Sequence, residues 1–253
     1  MTSRYIRRKF GQNYLKDISI LLKMADVISP SSSDNFLEIG PGHGALTEQL
    51  NREKISLIGV DIDKNNIEIL KNKFTGPANF KFIADDILNY KIINSRQRIV
   101  GNLPYNISTQ IILKLIDNCE QIVDVHFLVQ KEVAEKIAGK VGTKNWGKLA
   151  IKIASFFDNE ILFDVPPNAF DIKPKVNSSF IRLIPNNYLG GHSGLKEKLF
   201  RLVDLAFSSR RKNIKNNLKE ININWQDIGI DPEKRAEQLS LNDFFILSQN
   251  LDN

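Results

Sequence analysis

Cysteine is almost missing from this 253-residue chain, Cys119 being the only one. One cysteine closes no internal disulfide and builds no cysteine zinc cluster, so neither device can hold this fold together. By its type Cys119 reads as a small buried apolar residue. Histidine is nearly as scarce, and His43, His126 and His192 stand too far apart for the spacing of metal ligands, so no metal is expected. Long apolar runs are missing too, and none approaches the length that crosses a bilayer. Arg4, Arg7, Arg8 and Lys9 imitate the start of a secretion signal, but Ile18–Leu22 is too short for its apolar stretch and Lys23 ends it. The chain is expected to stay in the cytoplasm, with no membrane partner. Acidic excess is also lacking: 35 Lys+Arg against 29 Asp+Glu leave a formal charge of +6, a mild pull toward polyanions. There is no internal repeat or low-complexity tract.

What is present is an alternation. Hydrophobic residues at 42% and charged residues at 25% are ordinary for a globular chain. The length allows one large α/β domain and a small accessory one. Asn35–Ile39, Ser56–Val60, Asn79–Ala84, Arg98–Gly101 and Ile122–Val129 read as strands. Between them Ala45–Asn51, Lys64–Asn72 and Thr109–Asn118 repeat apolar residues at helical spacing. That order predicts βαβ units on a parallel sheet. Pro166, Pro167 and Pro174 punctuate a loop, and Ser178–Ile184 alternates like one more strand. Asn186–Gly194 is a polar linker, after which the pattern is helical, with Leu195, Leu199, Leu202, Val203, Ala206 and Phe207 on one face. Asp231-Pro232-Glu233 reads as a helix start, with proline at the first helical position. The expected domains are 1–185, catalytic, and 186–253, helical.

Leu37-Glu38-Ile39-Gly40-Pro41-Gly42-His43-Gly44 follows a strand and opens a helix. Its glycines let the backbone approach a ligand closely and leave free N–H groups at a helix start. Gly44 follows Gly42 by only two positions, so this is not the fingerprint of the dinucleotide folds. Asp61 ends the next strand, where an acid can hold a ribose diol. Asp63 is its rival, but the strand's alternation makes it a helix cap. At the end of the third strand, Asp85 or Asp86 can accept from an adenine amino group. Together these residues describe a ligand carrying adenosine along the carboxyl edge of the sheet.

The fourth strand runs into Gly101-Asn102-Leu103-Pro104-Tyr105-Asn106. The plain reading is a proline turn with a helix cap at Ser108. The chemistry argues for more. An exocyclic adenine amine is a poor nucleophile because its lone pair is delocalised into the ring. The Asn102 amide oxygen and the Leu103 carbonyl can accept both of its N–H bonds and localise that pair toward a methyl donor. Pro104 stiffens the loop and donates no N–H, and Tyr105 offers a face to an unstacked base. With a sulfonium as donor, proximity and alignment carry most of the acceleration.

These motifs resemble the ribosomal RNA adenine dimethyltransferase family, the KsgA type, over nearly the whole chain. Arg8-Lys9-Phe10-Gly11-Gln12-Asn13-Tyr14-Leu15 is similar to its opening motif, with Tyr14 where phenylalanine is usual. Glu38-Ile39-Gly40-Pro41-Gly42 matches its cofactor loop, and Asn102 through Ser108 its catalytic motif. Gln130–Ala134, Val165–Phe170 with Pro174-Lys175-Val176, Ala206–Lys212, and Asp231-Pro232 with Arg235-Ala236-Glu237 follow in the family's order. The resemblance implies a Rossmann-like class I S-adenosylmethionine methyltransferase sheet with a small all-helical C-terminal domain. It implies that Asn13, Leu15, Gly40, Asp61, Asp86 and Asn102, with Glu38 and Gly42 of the glycine loop, form the cofactor pocket. Phe170 and Tyr105 would then sandwich the adenine, and S-adenosylhomocysteine would be the product. The implied substrate is a pair of adjacent adenosines in a hairpin near the end of small-subunit ribosomal RNA, within an immature subunit. The protein would act there as a monomer in subunit maturation. Arg210, Arg211 and Lys212, with Lys215 nearby, are the expected RNA contacts. Asp61 replaces the usual glutamate, Asp171-Ile172-Lys173 is less proline-rich than usual, and Asn177 replaces a common aspartate.

Other readings compete. Enzymes that dimethylate large-subunit RNA in macrolide resistance tend to carry isoleucine where this chain has Leu103. DNA adenine methyltransferases usually have an Asp-Pro-Pro-Tyr loop and a sizeable recognition domain, for which this length leaves little room. A ribosome-assembly or mitochondrial transcription factor without turnover would have no need of an intact catalytic set.

Overall fold

A computed structural model describes residues 13–51, 54–76, 79–92, 96–186, 188 and 194–251. Arg4, Arg7 and Arg8, the first half of the opening motif, His192 and most of the linker lie outside these residues. The chain divides into two compact units, one of residues 1–134 and 160–185, the other of 135–159 and 186–253.

The first unit is built on a seven-stranded sheet. Its strands are β1 (Asn35–Ile39), β2 (Ser56–Asp61), β3 (Phe80–Ala84), β4 (Gln97–Asn102), β5 (Ile122–Gln130), β6 (Phe157–Val165) and β7 (Ser178–Pro185). The spatial order is β3-β2-β1-β4-β5-β7-β6. The first five strands pair in parallel, and β7 pairs antiparallel with β5. Six strands fall where the sequence pattern puts them. The unpredicted one, β6, carries Asp158, Asn159 and Glu160 in a row, which breaks the apolar alternation. It lies at the sheet's edge, where such polarity is tolerated.

Parallel strands covered on both faces need apolar residues at consecutive positions, and Phe36, Leu37, Ile99, Val100, Phe127, Leu128 and Val129 supply them. β1 and β4 are neighbours, yet the chain leaves β1 toward β2 and returns to β4 only after β3. The loops from their carboxyl ends therefore diverge and open a crevice there.

Four helices frame this edge: α1 (Ile18–Ile28), α2 (Ala45–Leu50), α3 (Lys64–Lys73) and α4 (Ser108–Leu115). α1 was not recognised in the sequence. Asp17 starts it by accepting from the N–H groups of Ser19 and Ile20. Arg98 on β4 closes its other end, donating to the carbonyls of Ile28 and Ser29 and to the carboxylates of Asp34 and Asp124. Asp63 caps α3 through the Asn65 N–H, as expected. Ser108 is the first residue of α4, not its side-chain cap, and its hydroxyl donates to the Tyr105 carbonyl.

The second unit is helical. α6 (Lys148–Ala154), α7 (Leu195–Ala206) and α10 (Leu241–Gln249) pack around Trp146, Leu199, Leu202, Val203 and Phe244. Between α4 and α6 lies α5 (Lys131–Ile137), and the short α8 (Ile214–Asn217) and α9 (Trp225–Ile228) precede α10. Residues 135–159 cluster with this unit because Trp146, Ala150 and Ile151 share its core, and the Trp146 Nε1–H donates to the Leu239 carbonyl. A single cut after residue 185 does not describe that grouping. Asp231-Pro232-Glu233 forms a turn, not a helix start. The Asp231 carboxylate accepts from the Glu233 N–H, and Pro232 O and Lys234 O accept from Lys215 and Ile214, so this backbone is spent on α8.

Candidate active site

The cleft at the carboxyl edge is lined by Asn13, Tyr14, Gly40, Asp61, Ile62, Asp86, Ile87 and residues 102–107, among others. An adjoining hollow shares Tyr14, Gly40 and Asn102 with it and adds Leu15, Glu38, Pro41 and His43. Of the expected cofactor residues, Asn13, Gly40, Asp61, Asp86 and Asn102 thus meet in one space, and Leu15 and Glu38 in the next. Gly42 lines neither, but its N–H donates to Asp61 Oδ2 at 3.1 Å.

Gly40 sits in the left-handed region with φ +65°, and among the described residues a Cβ there would meet only the Asn102 carbonyl oxygen, at 3.9 Å. The glycine leaves a bare stretch of backbone against open space, a cradle that a side chain would fill. Ile62, 48% exposed, and Ile87 give the cleft aliphatic surface suited to a flat ring. Among the described residues Asp86 accepts from the Leu88 N–H through one oxygen, and the other is open to an amino group. An adenosine with a charged tail fits this donor set.

Asp61 is more committed than its position in the sequence suggests. Its Oδ2 accepts from Gly42 N and from Asn66 Nδ2, both at 3.1 Å, and its Oδ1 from Asp63 N at 2.8 Å. A carboxylate has about four acceptor positions. With three taken, one is left for a ribose hydroxyl. Burial raises the pKa of Asp61, against the lowering effect of these hydrogen bonds. Glu38 is more deeply buried and sits at about 7, with the nearby Asp61 charge adding to the burial and the Thr47 hydroxyl, donating at 2.6 Å, opposing it.

In the catalytic loop, Asn102 Nδ2 donates to the Asn13 carbonyl at 2.7 Å. That bond fixes which way the amide faces. Oδ1 has no protein partner among the described residues. The Leu103 side chain is buried and its N–H donates to the Leu128 carbonyl, and these two anchors hold the residue whose carbonyl is the second acceptor. Tyr105 is half-buried, and its hydroxyl shares a 2.7 Å hydrogen bond with Ser178. Burial raises its pKa, so it remains a neutral aromatic surface.

Phe170 is a correction. It was expected to face Tyr105 across the base, but it is 0% exposed and lies in the core. The cause is backbone pairing. Residues 13–17 run against 169–171, with Leu15 bridged to Phe170 and the N–H groups of Lys16 and Asp17 both donating to the Ala169 carbonyl. Phe170 therefore supports the segment that carries Asn13.

Sequence reasoning missed two residues that shape the cleft. Asn66 is a 2% exposed polar side chain on α3, and its place beside the apolar Ile67 and Leu70 was the available signal. Lys114 donates to the carbonyls of Ile87, Leu88 and Tyr90 from across the chain, and nothing local marks it. In the helical unit, Arg210, Arg211 and Lys212 are all exposed, and Arg210 also donates to the Lys144 carbonyl and pairs with Glu237.

A family model described as ribosomal RNA adenine dimethylase matches residues 4–253. A relative from Legionella pneumophila, named ribosomal RNA small subunit methyltransferase A, is 41% identical, over 98% of each chain. One of the same name from Neisseria meningitidis is 39% identical, over 99% of this chain and 98% of its own. The crystal structure of a dimethyladenosine transferase from Plasmodium falciparum superposes with a TM-score of 0.81 at 26% identity, over 92% of this chain and 95% of that one. The fold, the glycine loop, the asparagine loop and this full-length similarity agree: the chain belongs to the ribosomal RNA adenine dimethylase family.

Proposed function

We propose that the cleft binds S-adenosylmethionine and that the protein transfers methyl groups to the N6 atoms of two adjacent adenosines in small-subunit ribosomal RNA. Gly40, Asp61, Asp86, Asn13 and Asn102 would hold the cofactor, with Leu15 and Glu38 toward its amino-acid end. When bound, it supplies an electrophilic methyl group on a sulfonium. One observation carries the reading of the acceptor. The Asn102 amide is anchored through its nitrogen, which leaves Oδ1 as a fixed acceptor, and the Leu103 carbonyl follows it in the chain. These two oxygens can take both N–H bonds of an exocyclic amine and turn its lone pair toward the donor. After one methylation, one N–H remains for them to hold. Tyr105 offers a face to the extruded base, and a hairpin loop is where extrusion costs least. Phe170 has no part in that stack. The expected occupant of the RNA face is an immature small subunit met by a monomer of this protein, with Arg211 and Lys212 on phosphates.

The test offers labelled S-adenosylmethionine with unmethylated small subunits, large subunits and duplex DNA in parallel. Label is expected as N6,N6-dimethyladenosine at two neighbouring positions of small-subunit RNA. Asn102→Ala is expected to lose more than tenfold of the rate, above about 1.4 kcal/mol in the barrier, with the fold intact. Label in large-subunit RNA or DNA, or only as monomethyladenosine, would overturn the proposal.

A further inference from the structure

A line of hydrogen bonds joins the acid at the end of β2 to the segment that anchors the catalytic amide. The Tyr14 hydroxyl donates to Asn66 Oδ1 at 3.2 Å, and Asn66 Nδ2 donates to Asp61 Oδ2 at 3.1 Å. Gly42 N–H donates to the same carboxylate oxygen. One residue before Tyr14, the Asn13 carbonyl holds Asn102 Nδ2. The Tyr14 ring also lies against the glycine loop, since a Cβ at Gly42 would fall 2.7 Å from Tyr14 Cε1.

We propose that Tyr14 and Asn66 are positioning residues, through which the acid on β2 sets the place of the catalytic amide on β4. Residues 13–15 form no helix or strand of their own. Pairing with residues 169–171 fixes them on one side, and the Tyr14 hydroxyl ties them to the β2 side. Asn66 suits the link because it is buried and spends its two ends in opposite directions, accepting from Tyr14 and donating to Asp61. A buried amide stripped of one partner carries an unmet polar atom, so the three groups hold each other in register. Loss of the Tyr14 hydroxyl should loosen both the glycine loop, felt as cofactor affinity, and the Asn13 carbonyl, felt as turnover.

The inference rests on the reading of the cleft as the cofactor site, and its test separates the two. Affinity for S-adenosylhomocysteine is measured by calorimetry, and methyl transfer to unmethylated small subunits in single turnovers. Tyr14→Phe, which removes one oxygen, is expected to weaken binding about fivefold and slow transfer about fivefold. Its melting temperature should fall by no more than a few degrees, the scale of one hydrogen bond lost at a buried amide, with the cooperative transition kept. Asn66→Ala is expected to lose at least as much of each, and Tyr14→Phe added to it to cost nothing further. If Asn66→Ala does not fold, Tyr14→Phe with Asp61→Asn supplies the same cycle, again with less than multiplicative loss. Losses that multiply, or a Tyr14→Phe protein equal to the parent in both measurements, would overturn the inference. A parent protein that fails to bind S-adenosylhomocysteine would instead count against the cofactor reading.

Discussion

At Gly101 a Cβ would lie 2.5 Å from the Ile39 carbonyl oxygen, where β4 passes β1 just before the catalytic asparagine. The obstacle is backbone inside a sheet and cannot swing aside. Gly101→Ala is therefore expected to destabilise the protein by about 3 kcal/mol, the upper end for overpacking. Gly76, with nothing within 4 Å of its would-be Cβ, serves as the control, and Gly76→Ala should shift stability by less than about 0.5 kcal/mol. Urea unfolding of the two variants decides this, and equal midpoints would refute the close approach. Single residues were legible in the sequence where their placement is local, as with Asp63 as a cap and the Asn102 loop at the cleft. The orientation of the Asn102 amide was not, because its partner is 89 residues away. Phe170 was misplaced for the same reason. An aromatic residue in a loop faces a ligand or the core according to what pairs with its backbone, and here Leu15 does.

Elements were legible where burial is two-sided or alternates cleanly, which covers six of the seven strands and α2 to α4. α1 and β6 were not, since α1 begins at an exposed Ile18 and β6 carries three polar residues in succession. What joins elements escaped the sequence most completely. Lys114 projects from α4, directly after the catalytic loop, and its ammonium gathers the carbonyls of Ile87, Leu88 and Tyr90 at 2.7–2.8 Å. Those carbonyls belong to the loop after β3, whose Asp86 and Ile87 line the cleft. Burial lowers the pKa of Lys114, while Asp86, Asp85 and Asp117 pull it up. Lys114→Met keeps the aliphatic stem and removes the charge. It is expected to cost about 1–3 kcal/mol, the scale of hydrogen bonds to a charged group, with part of the loss appearing as weaker cofactor binding. Calorimetry with S-adenosylhomocysteine and a denaturant titration measure the two parts. Unchanged values in both would mean that the loop keeps its shape without the ammonium.

For the molecule as a whole, two buried groups on parallel strands of the sheet, β1 and β5 with β4 between them, give stability an unusual dependence on pH. Glu38 on β1 ionises at 4.5 when exposed and at about 7 in the fold. Between those values the folded chain holds a proton that the unfolded chain has released, so the contribution is greatest below 4.5 and is lost as pH rises toward 7. The full loss is about 3 kcal/mol. His126 on β5 behaves oppositely, because burial, with Arg98 and Arg182 nearby, moves it from 6.5 down to about 4. There the unfolded chain takes up the proton first, so stability is lost as pH falls from 6.5 to 4. From 4.5 to 6.5 the two slopes oppose and nearly cancel. Glu38→Gln removes one of them and keeps an oxygen for the Thr47 hydroxyl to reach. The difference in unfolding free energy between this variant and the parent is then expected to shift in the variant's favour by up to about 3 kcal/mol as pH rises from 4.5 to 7.5. Carboxylates common to both proteins drop out of that difference, as does any fixed cost of seating the amide. Urea titrations at half-unit steps, without cofactor, measure it. A difference that stays flat across the range would show that Glu38 ionises in the fold as it does in water.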